Sequence, residues 1–355
     1  MIDWTASMQQ TFEYYKVDPG TWKDIEKIDT IISSTINRDI DAETLGSASI
    51  NMTESVGECY VRIYMIIIQN GIKEKIPMGT YLIQTPSFTF NGKIKNITID
   101  AYTPLLELKE NLPPLGYSIL KGGNVMGNAC DILREQVRAP IVKTENETTL
   151  AFDFTANSED TWITFIYDLV ANAKYSLDLD DLGRIIFSPE QDVASLQPVW
   201  TYSDDNSSIL YPDVEINRDL YGIPNVVEVI YSNGSTCFYG TAENNDSNSP
   251  TSIPSRGRRI TKRITKPDLV GTPTQEMVQE YAERMLRQLS ALEYTITYKH
   301  GYCPVRIGDC VRLNYEKAGL RNVKAKVISQ SIECIPGCPV TEKAIFTNNL
   351  WGDFS

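Results

Sequence analysis

The amino-acid sequence predicts an α+β, mainly β chain: two small antiparallel β-barrel domains with an α+β segment between them. Three observations carry this. Asn70-Gly71, Asn91-Gly92 and Asn233-Gly234 each stand between β-rich runs, and Asn-Gly supplies the two positive-φ positions of a type I′ hairpin turn. Three stretches carry apolar residues at helical spacing, near 124–137, 158–173 and 272–292. The chain has 355 residues, too many for one core at roughly 150 residues per domain.

The first domain is expected over 1–110. Asn70-Gly71 joins a strand at 59–69 to one near 81–85, and Asn91-Gly92 joins 87–90 to 93–102. In the latter, Ile97, Ile99 and Ala101 alternate with polar residues, as one buried face requires. With 29–38 and 47–53 this makes five or six short strands before residue 105, and strands without intervening helices read as a barrel or sandwich.

The α+β domain is expected over 111–205. Asn111-Leu112-Pro113-Pro114-Leu115-Gly116 breaks regular structure, and Asn124 then caps a helix presenting Val125, Met126, Ala129, Ile132, Leu133 and Val137. Ser158-Glu159-Asp160-Thr161 opens a second helix, with Trp162, Phe165, Ile166, Leu169, Val170 and Ala173 as its stripe. That stripe needs a partner, and the following hairpin, 175–179 and 184–187 around Asp181-Leu182-Gly183, supplies one.

The second barrel is expected over 206–355, with strands at 208–218, 225–231, 237–241, 294–300, 309–315 and 323–335. Residues 243–255 lack periodicity and read as a mobile loop. A helix is expected near 273–291, with Thr272 as N-cap, Pro273 first in the helix and Gln275 completing a capping box. Val278, Tyr281, Ala282, Met285, Leu286 and Leu289 form its apolar face. Gly79 and Gly308 each precede a strand, consistent with two related barrels.

Composition narrows the function. Thirty-three basic against 46 acidic residues leave a net charge of −13, which argues against a main task of gripping DNA or an anionic membrane. The longest apolar run, Ile63 to Ile68, is far short of the roughly 20 residues of a membrane helix. Residues 1–20 lack the basic start and apolar core of a secretory signal. Seven scattered cysteines fit reduced thiols better than a disulfide framework. Cytoplasmic synthesis follows as the default.

No catalytic set emerges. The chain holds one histidine, His300, whereas a Ser or Cys nucleophile needs a base beside it; a structural role is expected. The elbow, phosphate-loop and zinc-protease signatures are absent. Gly122 and Gly123 precede a helix without the Lys-Ser/Thr ending of a phosphate loop. Asp178-Leu179-Asp180-Asp181-Leu182-Gly183 resembles a calcium loop, but Leu182 cannot coordinate, so a solvated hairpin tip is expected. Glu159-Asp160 fits capping better than glycoside hydrolysis. Cys303, Cys310, Cys334 and Cys338 lack the paired Cys-x2-Cys spacing of a metal site. No cofactor, metal ligand or catalytic residue is therefore assigned. Arg256, Arg258, Arg259, Lys262, Arg263 and Lys266 form a basic cluster without interleaved aromatics, which suits a protein contact better than base stacking. Arg258, Arg259, Lys262 and Arg263 are the candidate interface residues.

Two segments carry a family likeness. Pro77-Met78-Gly79-Thr80-Tyr81-Leu82-Ile83 followed by 97–108, with Ala101-Tyr102-Thr103-Pro104-Leu105-Leu106, resembles a segment of bacteriophage tail hub proteins. Glu280-Tyr281-Ala282-Glu283-Arg284-Met285-Leu286 and then Val305 to Leu313, with Gly308-Asp309-Cys310-Val311, are similar to their later helix and strand. The resemblance covers most of the chain. It implies a homotrimeric baseplate or tail-tip hub, related to components of contractile injection systems, whose two barrels per protomer join a sixfold tail tube to a threefold spike or tip. The implied partners are the tail tube or distal tail protein, the central spike or tip protein and the tape measure protein, with DNA passing through unbound. Cell-wall-digesting members carry an added lytic domain, for which a chain ending at Ser355 leaves no room. A non-enzymatic virion component assembled in the host cytoplasm is expected; a tail-associated cell-wall hydrolase and a host-receptor-binding tail protein are the alternatives.

Overall fold

The computed structural model of the chain describes residues 2–90, 95–189, 196–205, 208–218, 220–232, 236–247, 249–265, 267, 273–290 and 293–347. These form twenty strands and five α-helices, a mainly β chain. Packing separates two units: Met1–Val214 with Tyr298–Arg312 and Lys326–Ala344, and Glu215–Thr297 with Leu313–Ala325 and Ile345–Ser355.

Seven strands open the first unit: β1 (Gln9–Val17), β2 (Asp24–Lys27), β3 (Ile31–Asp39), β4 (Gly46–Met52), β5 (Cys59–Gln69), β6 (Ile72–Phe90) and β7 (Lys95–Tyr102). The first hairpin forms as its turn chemistry dictates. Asn70 has φ 52°, Gly71 has φ 79°, and Gln69 faces Ile72. The ladder of β6 and β7 runs to Phe90 opposite Lys95, while Asn91-Gly92 lies outside the described residues. The strands are neither five or six nor uniformly short, since β1 and β2 were not foreseen and β6 spans 19 residues. Gly79 lies inside β6 rather than before a strand. The β5–β6 register shifts between Ile63 and Tyr64, and a Cβ at Gly79, whose φ is 141°, would sit 2.6 Å from the Tyr81 ring.

β5 is buried along both faces. Val61, Ile63, Met65 and Ile67 enter one core, while Tyr60 enters another. The uninterrupted apolar run is the sequence signature of a strand covered on both sides.

The second of these cores joins what the sequence separates. After α1 (Leu106–Lys109) and β8 (Ser118–Ile119) come α2 (Val125–Gln136), β9 (Phe154–Thr155), α3 (Trp162–Ala171), β10 (Tyr175–Leu179) and β11 (Ile185–Pro189). The expected cap of α2 forms, with Asn124 Oδ1 accepting from Gly127 N at 2.6 Å, whereas α3 is capped by Thr161 in a capping box with Thr164 rather than by Glu159-Asp160. The stripe of α3 packs with Leu133 and Phe187, but also with Val17, Trp22, Tyr60 and Leu82 of the first segment. Residues of 111–205 thus share a core with residues of 1–110, and both stretches fall in the same compact unit. Full burial of Leu133, Phe165, Ile166 and Leu169 contributes about 1.5–3 kcal/mol per side chain.

β12 (Trp200–Ser203) and β13 (Leu210–Arg218) lead to the second unit, where β14 (Val226–Ser232), β15 (Cys237–Glu243), α4 (Ile253–Arg256), β16 (Thr261–Ile264) and α5 (Gln275–Leu289) follow. The three strands form a sheet in the order β15-β14-β16. β14 and β15 are antiparallel, with Ser232 facing Cys237; their turn residues Asn233-Gly234 lie outside the described residues. β14 and β16 are parallel, which departs from the all-antiparallel expectation. Val278, Ala282 and Leu286 of α5 pack on Val227, Val229 and Ala242. The helix starts later than expected: Thr274, not Thr272, is the N-cap, its Oγ1 accepting from Met277 N at 3.2 Å, and Thr272 lies outside the described residues. Gln279 ties α5 to β15 through both backbone groups of Thr241, at 3.1 and 2.9 Å.

The described part of 243–255 is ordered by its own hydrogen bonds, contrary to the loop expected. Asn244 Nδ2 donates to Ser249 and Thr251, Thr251 Oγ1 donates to Ser290 O, and Ser252 caps α4. Thr251 and Ser252 are buried.

β17 (Glu293–Gly301), β18 (Cys310–Tyr315), β19 (Leu320–Cys334) and β20 (Pro339–Thr347) end the described fold. Within the first unit, the strand segments run in the order β13-β17-β20-β19-β3-β4-β7-β6-β5-β1-β2, and β12 reaches this path through β18.

Candidate functional site

Burying a polar side chain is costly unless it finds a partner, and the first unit buries a continuous set of them. Glu342 of β20 is wholly buried and accepts from three neighbours, Tyr298 Oη at 2.6 Å, Tyr202 Oη at 3.1 Å and Gln330 Nε2 at 2.6 Å, and its Oε2 lies 3.4 Å from His300 Nε2. Gln330 of β19 also donates to Val305 O, and its Oε1 accepts from Arg38 of β3 at 3.4 Å. Arg38 reaches Met78 O and Asp181 Oδ1, and Arg306 Nη1 meets the same oxygen at 3.3 Å.

His300 sits within this set, wholly buried. Its Nδ1 lies 2.6 Å from Gly301 O; a carbonyl only accepts, so Nδ1 carries a proton. Cys303 Sγ stands 3.2 Å from Tyr202 Oη and 4.0 Å from His300 Nδ1. This neighbourhood was not legible in the sequence, and the geometry does not make Cys303 and His300 a nucleophile–base pair. Burial pushes the Cys303 thiol up, the reverse of an activated thiolate, and the nearer imidazole nitrogen is committed to the backbone.

The 178–183 hairpin is docked rather than solvated. Leu182 O accepts Trp22 Nε1 at 2.9 Å, Thr80 Oγ1 at 2.8 Å and Arg62 Nη2 at 3.3 Å. Its carboxylates are used internally: Asp180 by Leu182 N and Arg184, Asp178 by Leu179 N and Ser188, Asp181 by Arg38 and Arg306. Arg306 additionally donates to Leu179 O. Cys303, Cys310, Cys334 and Cys338 are buried free thiols. Among the described residues no group of three or more His, Cys, Asp and Glu side chains is placed to hold a metal ion.

The structure divides the basic cluster. Arg259 pairs with Glu243 at 2.6 Å, and Arg263 holds Glu228 Oε2 through Nε and Nη2 at 2.9 and 2.7 Å. Both contacts lie within the second unit. Arg258 and Lys262 are exposed and make no ion pair among the described residues. Lys266 lies outside the described residues, and Arg256 donates to Leu220 O.

No protein-family model and no curated protein matches the chain. Solved structures do. A tail protein from Neisseria meningitidis MC58 is similar over 96% of this chain and 98% of its own, with a TM-score of 0.63 and 12% identity. A 43 kDa tail protein of prophage MuSo2 from Shewanella oneidensis is similar over 96% and 99%, with a TM-score of 0.60 and 10% identity. The fold is that of phage tail proteins. This tail-protein fold also appears in a chain of the Francisella PdpA–VgrG complex, at a TM-score of 0.57 and 10% identity, over 98% of this chain and 59% of that one. At such identity the likeness extends to the tail-protein fold and not to individual side chains, so the networks above stand on their own geometry.

Proposed function

We propose that this chain is a structural hub of a phage tail baseplate or tail tip: a homotrimer, with two barrels per protomer, joining a sixfold tail tube to a threefold spike or tip and forming part of the DNA exit channel. The observation that carries the reading is the likeness to whole tail proteins, over 96% of this chain and 98% or more of theirs. The tail tube or distal tail protein, the spike or tip protein and the tape measure protein are its partners, and assembly takes place in the host cytoplasm. A net charge of −13 suits a channel wall, because like-charge repulsion keeps phosphates from lodging. We assign it no enzymatic activity. The buried and hydrogen-bonded state of His300 supports this.

Sedimentation of the purified chain should give a mass near three times 40.0 kDa. Antibody labelling of virions should mark the distal end of the tail. A monomer that is absent from purified particles would refute the hub. Cell-wall clearing in a zymogram, abolished by His300→Ala, would refute the non-enzymatic assignment.

A further inference from the structure

β16 is the edge of the β15-β14-β16 sheet, and among the described residues no strand pairs with its outer side. Its Thr261, Lys262 and Arg263 are exposed. The parallel register decides which backbone groups face outward. Val226 faces Thr261 and donates to Ile260 O, so the inward bonds of β16 fall on Ile260, Lys262 and Ile264. The N–H and C=O of Thr261 and Arg263 therefore point away from β14.

The charges select what such an edge accepts. Arg259 and Arg263 are neutralised by Glu243 and Glu228 of their own sheet. Arg258 and Lys262 are left as exposed cations in a chain of net charge −13. An edge lysine resists pairing with its own copy, because like charges directly opposite each other are destabilising. The sheet's other edge offers a copy no acidic strand either, since the single acid of β15 is Glu243, already held by Arg259. The same lysine favours a strand bearing carboxylates.

We propose that β16 is a docking edge for an extended, acidic segment of a different polypeptide, added as a fourth strand through the main chain of Thr261 and Arg263, with Lys262 and Arg258 reading its carboxylates. The inference uses only this edge and its charges, and it does not rest on the tail reading.

The test uses the intact chain and a fluorescein-labelled peptide of about ten residues alternating Glu with Thr and Val, followed by anisotropy. A second peptide of the same sequence carries N-methyl groups on alternate amides and cannot complete a ladder. The first peptide should bind and the N-methylated one should not. Binding should weaken about tenfold or more for Thr261→Pro, which removes only an outward N–H, and for the Arg258→Glu/Lys262→Glu pair. It should also weaken between about 50 mM and about 300 mM salt. Equal binding of the two peptides, or none by the wild-type chain at millimolar peptide, would overturn the proposal. Self-association of the wild-type chain that Thr261→Pro abolishes would identify a second copy as the occupant and overturn it too. Should Thr261→Pro fail to fold, the charge-reversed pair and the N-methylated peptide decide between the same outcomes.

Discussion

His300 Nε2 lies 3.4 Å from Glu342 Oε2 with neither side chain more than 1% exposed. A carboxylate in that position is tolerated only because every side of it is occupied. Tyr298, Tyr202 and Gln330 supply the remaining hydrogen bonds, each from a different strand of the first unit. Glu342→Ala removes their shared acceptor and leaves buried donors unpaired. Its unfolding free energy in urea should fall by about 3–5 kcal/mol. A midpoint within error of wild type would show that the network contributes nothing.

The same residue sets an acid limit. Burial pushes the Glu342 carboxyl up, but the hydrogen bond and charge of His300, with hydrogen bonds from Tyr298 and Gln330, outweigh it and hold the group below its ordinary 4.5. A folded-state value below the unfolded one stabilises the fold fully above the unfolded pKa, and that contribution is lost as pH falls through the folded value. Wild-type stability should therefore drop below pH 4.5 more steeply than that of Glu342→Gln, measured by urea titrations at successive pH. Parallel curves would contradict the assignment.

Arg62 is 4% exposed and joins four groups: Thr80 Oγ1 at 2.9 Å, Asp24 Oδ1 at 2.8 Å, Trp22 O at 3.1 Å and Leu182 O at 3.3 Å. It links β5 to the docked hairpin tip. Arg62→Met keeps much of the volume and deletes the donors, so about 3 kcal/mol should be lost, with faster amide exchange at Leu182 and Gly183. Unchanged exchange there would mean that the tip is held by other contacts.

Gly240 lets β15 approach α5. A Cβ would stand 2.6 Å from Val278 O and 3.0 Å from Gln279 Cα, both backbone atoms that cannot swing aside. Gly240→Ala should destabilise by about 1–3 kcal/mol through overpacking. Limited proteolysis should show early cleavage within 215–297, and a wild-type digestion pattern would count against the close approach.

Cys237 is exposed, whereas Cys59, Cys130, Cys303, Cys310, Cys334 and Cys338 are buried. Burial pushes the Cys59, Cys130, Cys303 and Cys338 thiols up and raises Cys334 to about 12. Only the thiolate reacts readily. An aromatic disulfide reagent near neutral pH should therefore titrate one thiol quickly in the folded chain and all seven in denaturant. Two or more fast thiols would contradict the packing, and Cys237→Ser should abolish the fast phase.

What was legible in the sequence is what a few adjacent residues decide among themselves. Asn70-Gly71 turns because those two residues tolerate positive φ, and Asn124 caps because its side chain reaches an N–H three residues on. The apolar face of α5 was legible for the same reason, although its first turn begins at Thr274.

Tertiary structure decided the rest, because the partners are far apart in the chain. Gln9–Val17 carries only Tyr14 and Val17 as buried positions and becomes a strand by pairing with β5 some fifty residues on. Thr261–Ile264 is a strand only because β14 lies parallel to it. Val17, Trp22 and Tyr60 share a core with Phe165 and Leu169, which lie more than a hundred residues on. Four cations were legible as one interface cluster, but only the placement of Glu228 and Glu243 separates Arg259 and Arg263 from Arg258 and Lys262. Turns and caps are fixed by free energies summed over about four residues, whereas strand partners, shared cores and ion pairs depend on which distant segments close onto one another.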